Sequence, residues 1–330
     1  MNEWAAALQA AHVAAALLLL GEAVFALVIA RPAVMRLDPA GIEDASRRLH
    51  RVACWALPLS LACGAAWFVA KAAVMSGLTP AEVLSGPTLG LALVETGFGR
   101  ISLARAGVAI SLGLLILVRR RLESGAVRAS FGVATAAFAA VYLGSLAWVG
   151  HAGTGDDTEN VLHIGADVAH LLAAGCWLGA LPALVSWLQH ATPALAADAA
   201  RRFSTLGLVS VGLLTASGLV NTWYLVGSIP GLVGTSYGHL LIAKLALFSA
   251  MLGLAAVNRG IAAQSTDGPE SGAWALLRRN ALVEIALGIG VVAVVGFLGS
   301  TVPAVHEPVT WPFARTLSPG AIEHSAWDSS

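Results

Sequence analysis

The stretch "HIGADVAHLLAAGCWLGALPALVSWL", residues 163–188, reads as a membrane span, yet its first two turns carry His163, Asp167 and His170. A helix crossing hydrocarbon needs about 20 mainly apolar residues, and this run supplies them after a polar beginning. The three polar residues are separated by four and then three positions, so they share one helical face. Ala174 and Trp177 continue that face, which gives a cup with polar walls and an aromatic floor. Imidazole and carboxylate are sound ligands for a divalent transition metal. Ionisable groups inside a span cost about 2.5–3.5 kcal/mol on insertion scales, so they face the bundle interior and mark a function.

The rest of the chain has the same character. Its 330 residues are 57% hydrophobic and 12% charged, with a mean hydropathy of +0.77, far too apolar for one soluble core. Eight segments qualify as spans: 4–30, 52–75, 98–118, 129–149, 163–188, 204–226, 238–257 and 281–301. They are continuous runs, not the short alternating segments of a barrel, so the expected class is an all-α polytopic membrane protein. The first run exceeds a signal peptide's and lacks a basic leader, which predicts a permanent first helix. Pro58 and Pro182 fall inside spans, where each removes a backbone hydrogen bond.

Basic residues set the expected orientation. Connections after the odd-numbered spans hold Arg31, Arg36, Arg47, Arg48 and Arg51, then Arg119, Arg120, Arg121 and Arg128, then Arg201 and Arg202, then Arg259, Arg278 and Arg279. The opposite connections and the tail hold only Arg100 and Arg315. This imbalance assigns the Arg-rich side to the cytoplasm and both termini to the periplasm. A net charge of +0 argues against nucleic acid as a partner; the expected surroundings are the lipid bilayer. Cys54, Cys63 and Cys176 form no CxxC motif and read as small buried hydrophobes.

An internal repeat is visible. "AHVAAALLLLG" (11–21) matches "AHLLAAGCWLG" (169–179), setting His12 against His170 and Gly21 against Gly179. "TGFGRISLAR" (96–105) matches "TSYGHLLIAK" (235–244), setting Arg100 against His239 and Arg105 against Lys244. The expected organisation is two parallel four-helix repeats, 1–150 and 151–302, followed by a periplasmic tail, 303–330. Each half has an even number of spans, so a pseudo-two-fold axis would run along the membrane normal.

Seven of the nine histidines fall on the expected outer side: His12, His151, His163, His170, His239, His306 and His324. The candidate metal ligands are accordingly His163, Asp167 and His170, with His12, His151 and His239 as further donors. Arg105 and Lys244 are candidate charge partners, Asp167 pairing with one of them. Asp156, Asp157 and Glu159 give the loop after His151 a field that concentrates cations. His306, Glu307 and His324 in the tail could form a capturing arm. On the inner half the donors thin out to Glu22, Cys54, Cys63 and Glu284, and four methionines are too few for a Met-lined Cu(I) route. No nucleotide-binding loop is present, and the chain is expected to be no enzyme.

With "SLAWVGHAGTG", "ADVAHLLAAGCWLGALPAL", "RRFSTLGLVSVGLLTASGLVNTW", "TSYGHLLIAKLAL", "VEIALGIGVVAVVGFLG" and the terminal "WPF" in this order, the chain closely resembles the CopD family of bacterial copper-resistance inner-membrane proteins. The resemblance implies a copper ion as cargo, uptake from the periplasm, and a small periplasmic copper carrier of the CopC type as partner. Two other readings stay open. Two histidines at equal depth on different helices could be axial ligands of haem b, and a copper-binding sensor or assembly subunit would need no inner path.

Overall fold

A computed structural model of the protein describes residues 3–37, 42–122, 126–149, 158–264 and 272–309. Among the described residues there is no strand, and eight helices are long and apolar enough to cross a membrane. They are α1 (Glu3–Met35), α2 (Arg51–Ser76), α3 (Gly97–Arg121), α4 (Ala126–Trp148), α5 (Val161–His190), α6 (Pro193–Leu225), α7 (Ser236–Ala263) and α8 (Gly272–Leu298). A helix is the form in which each such segment satisfies its own backbone polar groups without water. The protein is a multi-pass membrane protein.

The helix ends depart from the hydropathy reading in one informative way. The sixth span begins at Pro193, eleven residues before the apolar run expected to start it. Alanines favour helix there, and Asp198 accepts from Arg202 Nε at 2.6 Å and pairs with Arg201 at 3.5 Å. The helix therefore continues beyond the hydrocarbon. Pro58 sits inside an unbroken helix. Pro182 lies instead in the first turn of a restart after the turn at residues 178–180, where its missing N–H costs nothing.

α1 and α5 are the most enclosed helices: 67% and 50% of their apolar windows are buried, against 39% or less for the other six. They cross at the two glycines that the repeat aligns. A Cβ added to Gly21 would come 1.9 Å from the Gly179 carbonyl carbon, and one added to Gly179 would come 2.0 Å from Leu17 O. Only two residues without side chains permit such backbone contact. Around this crossing α1 packs on α2, α4 and α8, α5 packs on α6, and α7 pairs with α8. The ends where α1 begins and α8 finishes form the Arg-poor end of the bundle; Arg119–Arg121, Arg201 and Arg259 mark the Arg-rich end.

One further element closes the Arg-poor end. Glu307 lies beyond α8 and accepts from Ser236 N at 3.1 Å and Tyr237 N at 3.5 Å. It thereby caps the N-terminus of α7, a favourable place for a carboxylate.

Candidate functional site

His12 and His170 each stand nine positions before the glycine at which α1 and α5 meet (21 against 12, 179 against 170). Arg105 and Lys244 each stand eight after the first residue of their span (105 against 97, 244 against 236). The fold brings each histidine to the basic residue of its own half. Arg105 therefore does not serve as the partner of Asp167; Lys244 does.

In the first half, Arg105 Nη2 donates to His12 Nε2 at 2.8 Å. A guanidinium has only donors, so Nε2 is the unprotonated nitrogen and Nδ1 carries the hydrogen, which goes to Ser60 O at 2.7 Å. Both ring nitrogens are thus engaged. Arg105 Nη1 donates to Tyr142 O at 2.9 Å and to Ser145 Oγ at 2.7 Å, and the guanidinium lies 4.8 Å from the Tyr142 ring centroid. Trp67 stacks on His12 with centroids 6.0 Å apart. From the same helix, α2, a Cβ on Gly64 would meet the imidazole at 2.8 Å. His12 is 4% exposed and Arg105 6%; the cluster is closed on every side.

The second half is arranged differently. His170 Nδ1 lies 3.1 Å from Ser217 Oγ. That hydroxyl gives its own hydrogen to Leu213 O at 2.5 Å, so at this contact Ser217 accepts and His170 donates, with the Leu214 carbonyl a second acceptor for the ring. The consequence is a lone pair on Nε2, the form in which imidazole binds a metal. One turn away on α5, Asp167 Oδ1 accepts from Asn221 Nδ2 at 3.2 Å. Lys244 on α7 interacts electrostatically with both Asp167 and His170, and Tyr237 does so with Asp167. A carboxylate and an imidazole nitrogen thus stand one turn apart on one face of α5, with the Lys244 ammonium as the cation that interacts with both.

The other expected donors are dispersed. His163 stacks on Tyr224, with centroids 4.8 Å apart and planes 9° from parallel. His239 Nε2 donates to Val233 O at 2.9 Å beside the short helix Ile229–Gly234. His306 lies in the 3-10 turn Ala304–His306, and Glu307 is spent on the α7 cap. Backbone donors hold the Glu307 carboxyl below the usual carboxylate range, with the nearby His239 adding to the effect. His151 and His324 fall outside the described residues, as do Asp156 and Asp157. Among the described residues no group of three or more His, Cys, Asp or Glu side chains is gathered for one ion. The site as built offers Asp167 and His170, with His163 two turns from His170 on the same helix.

Ser217, Asn221 and Tyr237 were not singled out from the sequence. Ser217 and Asn221 are four apart on α6 and so share a face, a signal present in "TASGLVNTW". Of the inner-half donors, Glu22 is 3% exposed with no hydrogen-bond partner on either carboxylate oxygen among the described residues. Cys54, Cys63 and Cys176 are free, half-buried thiols.

Comparison with known proteins adds the chemistry that geometry leaves open. The family described as Copper resistance protein D matches residues 197–298, and that described as Copper resistance protein D-like, N-terminal domain, matches residues 1–161. The chain is 27% identical over 253 residues to Copper resistance protein D of Pseudomonas syringae pv. tomato, covering 71% of this chain and 80% of that one. It is 31% identical over 233 residues to Copper transport protein CutJ of Bacillus subtilis (strain 168), covering 68% of this chain and 40% of the relative. Inner membrane protein YebZ of Escherichia coli (strain K12) is 27% identical over 305 residues, covering 90% and 97%. No solved structure matches the chain. With both family regions present in order along an eight-helix membrane bundle, the chain belongs to the copper resistance protein D family and is a copper-related membrane protein.

Proposed function

We propose that the chain takes up a copper ion at Asp167 and His170 from the periplasm and passes it across the inner membrane. The observation that carries this reading is the state of His170: Ser217 consumes its Nδ1 hydrogen, and Nε2 keeps a lone pair beside a carboxylate. The ion displaces the Lys244 ammonium, which otherwise balances Asp167. Two protein donors completed by solvent hold copper less tightly than a closed cage. Passage requires binding favourable enough to enter and weak enough to leave.

The excess of arginine at one end supports a cytoplasmic location for that end and periplasmic termini. The backbone contact between Gly21 and Gly179 is what a two-fold axis through equivalent residues produces, and it supports two parallel repeats over 1–150 and 151–302 with a tail at 303–330. The names of two relatives, one a copper resistance protein and one a copper transport protein, support copper as the cargo. A CopC-type carrier is the proposed periplasmic donor, on the family resemblance. In this reading the chain is a carrier and not an enzyme. Haem b is disfavoured, since His12 would have to give up Arg105 or Ser60 to reach an iron.

The test is copper influx into liposomes enclosing a copper-sensitive dye, read beside equilibrium binding in detergent. Asp167→Asn is expected to weaken copper binding about a hundredfold or more, since losing a ligand costs at least as much as losing the outer partner that orients one, and to reduce influx in proportion. Wild-type binding without influx would point to a sensor or assembly subunit. A Soret band in the purified protein, lost in His12→Ala, would restore the haem reading.

A further inference from the structure

Below the Asp167–His170 pair, the helical face of α5 runs through Ala174 to Trp177, seven residues or about 10 Å farther along the helix. Trp177 is 2% exposed, stands edge-on to Phe248 of α7 with centroids 6.2 Å apart, and has Gly207 of α6 against its indole, where an added Cβ would lie 3.6 Å away. On the far side of this aromatic pair lies a cavity of about 200 Å³, with Trp177 in its wall. Leu181, Phe203 and Leu252 make it apolar, and Asn258, Arg259 and Glu284 give it one polar region.

Glu284 is 2% exposed. Asn258 Nδ2 donates to its Oε1 at 2.6 Å, and Asn280 Nδ2 donates to Asn258 Oδ1 at 2.9 Å, so the carboxylate is oriented by a chain of two amides. Among the described residues no Lys, Arg or His stands within ion-pair distance of it. Arg259, in the wall of the same cavity, gives Nη1 to Ser204 Oγ at 2.9 Å, another lining residue, and makes no ion pair with Glu284 among the described residues. The depth of Glu284 follows from Gly288, one turn nearer the Arg-poor end, which packs on Leu178 so closely that an added Cβ would lie 2.1 Å from Leu178 Cδ1. Glu284 therefore lies one turn past the level of Trp177 and Leu178, toward the Arg-rich end. An ionisable group at that depth, oriented by neutral donors and lining a cavity, has the marks of an ion pathway.

We infer that this cavity is a second cation station, with Glu284 as its anionic ligand, and that Trp177 with Phe248 is the barrier a copper ion crosses between the two stations. The inference rests on the proposed inward passage. The two stations differ in chemistry: the upper offers an imidazole nitrogen, whereas the lower one offers oxygen donors alone, which copper binds less firmly, so release from the lower station is the easier step. An ion arriving there is poised to leave as a hydrated cation toward the Arg-rich side.

The test compares wild type with Glu284→Gln in the full chain, by copper binding in detergent and by influx into dye-loaded liposomes. Glu284→Gln is expected to keep copper affinity at the upper station within about twofold while slowing influx about tenfold or more, and Glu284→Asp is expected to recover part of the rate. In the Asp167→Asn chain, a residual weak copper site is expected, and Glu284→Gln is expected to remove it. Should Glu284→Gln fold poorly, Asn258→Ala, which releases the carboxylate from its amide, gives the same comparison with a smaller loss. Influx at the wild-type rate in both variants would overturn the second station and leave the upper one standing. Absence of influx in wild type would overturn both.

Discussion

The two halves of the bundle hold the same residue types at the same depth and use them in opposite ways. In the first half Arg105 donates straight into His12 Nε2, and the histidine becomes a structural polar link. In the second half the cation is a lysine, and it has a carboxylate to attend to, so His170 Nε2 keeps its lone pair. The position three before each histidine accounts for the contrast. It is Asp167 in the second half and Gln9 in the first. A neutral amide gives a guanidinium no counter-charge, and Arg105 turns instead to the acceptors it can find, namely His12, the Tyr142 carbonyl and Ser145. Arg and Lys are not interchangeable in this setting: the planar fork bonds three acceptors at once, whereas the ammonium acts as a compact charge. In the proposed reading the two halves offer equivalent positions, and one carboxylate sets apart the position that takes an ion.

The contrast can be pushed hardest by converting one half into the other. Gln9→Asp with Arg105→Lys recreates the second-half pattern in the first, and the double variant is expected to gain a second copper site, raising bound metal about twofold at saturation. Titration with elemental analysis checks this; unchanged stoichiometry would show that the closure of the first half has another cause. A smaller effect concerns packing. Gly64→Ala puts a methyl group 2.8 Å from the His12 ring and is expected to destabilise the fold by about 1–3 kcal/mol. Gly218→Ala meets the His170 ring at an ordinary 3.6 Å and should cost under about 0.5 kcal/mol. Thermal unfolding of the two variants in one detergent reads the difference, and equal losses would mean that both histidines are equally enclosed.

The smallest effect belongs to the Glu307 cap on α7: α3 and α7 share a threonine cap, Thr96 Oγ1 accepting from Gly99 N and Thr235 Oγ1 from Gly238 N, and Glu307 is an addition with no described counterpart on α3. Because its folded carboxyl titrates below the usual range, its stabilisation is present at neutral pH and is lost as pH falls through the folded value. Glu307→Gln should therefore lower the melting temperature slightly near neutrality and leave it unchanged in strong acid. A difference that persisted in acid would separate the cap from its charge.

Much of this was legible in the chain before the structure. Hydropathy located all eight spans, because hydrocarbon leaves a segment few alternatives to helix. The repeat placed His12 beside His170 in depth and Arg105 beside Lys244. Depth, however, does not give rotation about a helix axis, and rotation decides partners. Nothing in the sequence distinguished Arg105 from Lys244 as the cation for Asp167, since the choice depends on which helices pack within each half. His239 looked like a donor by its position, but the short helix before it presents the Val233 carbonyl and takes its hydrogen. Asn221 and Ser217 escaped notice because uncharged polar residues in a span are common and give no sign of what they face.

In the proposed function the second half is open to copper and the first is closed. Copper bound to detergent-purified His12→Ala and His170→Ala chains under identical conditions separates the two. His12→Ala is expected to retain the wild-type amount and His170→Ala to lose most of it. Loss of copper in His12→Ala with retention in His170→Ala would contradict this reading.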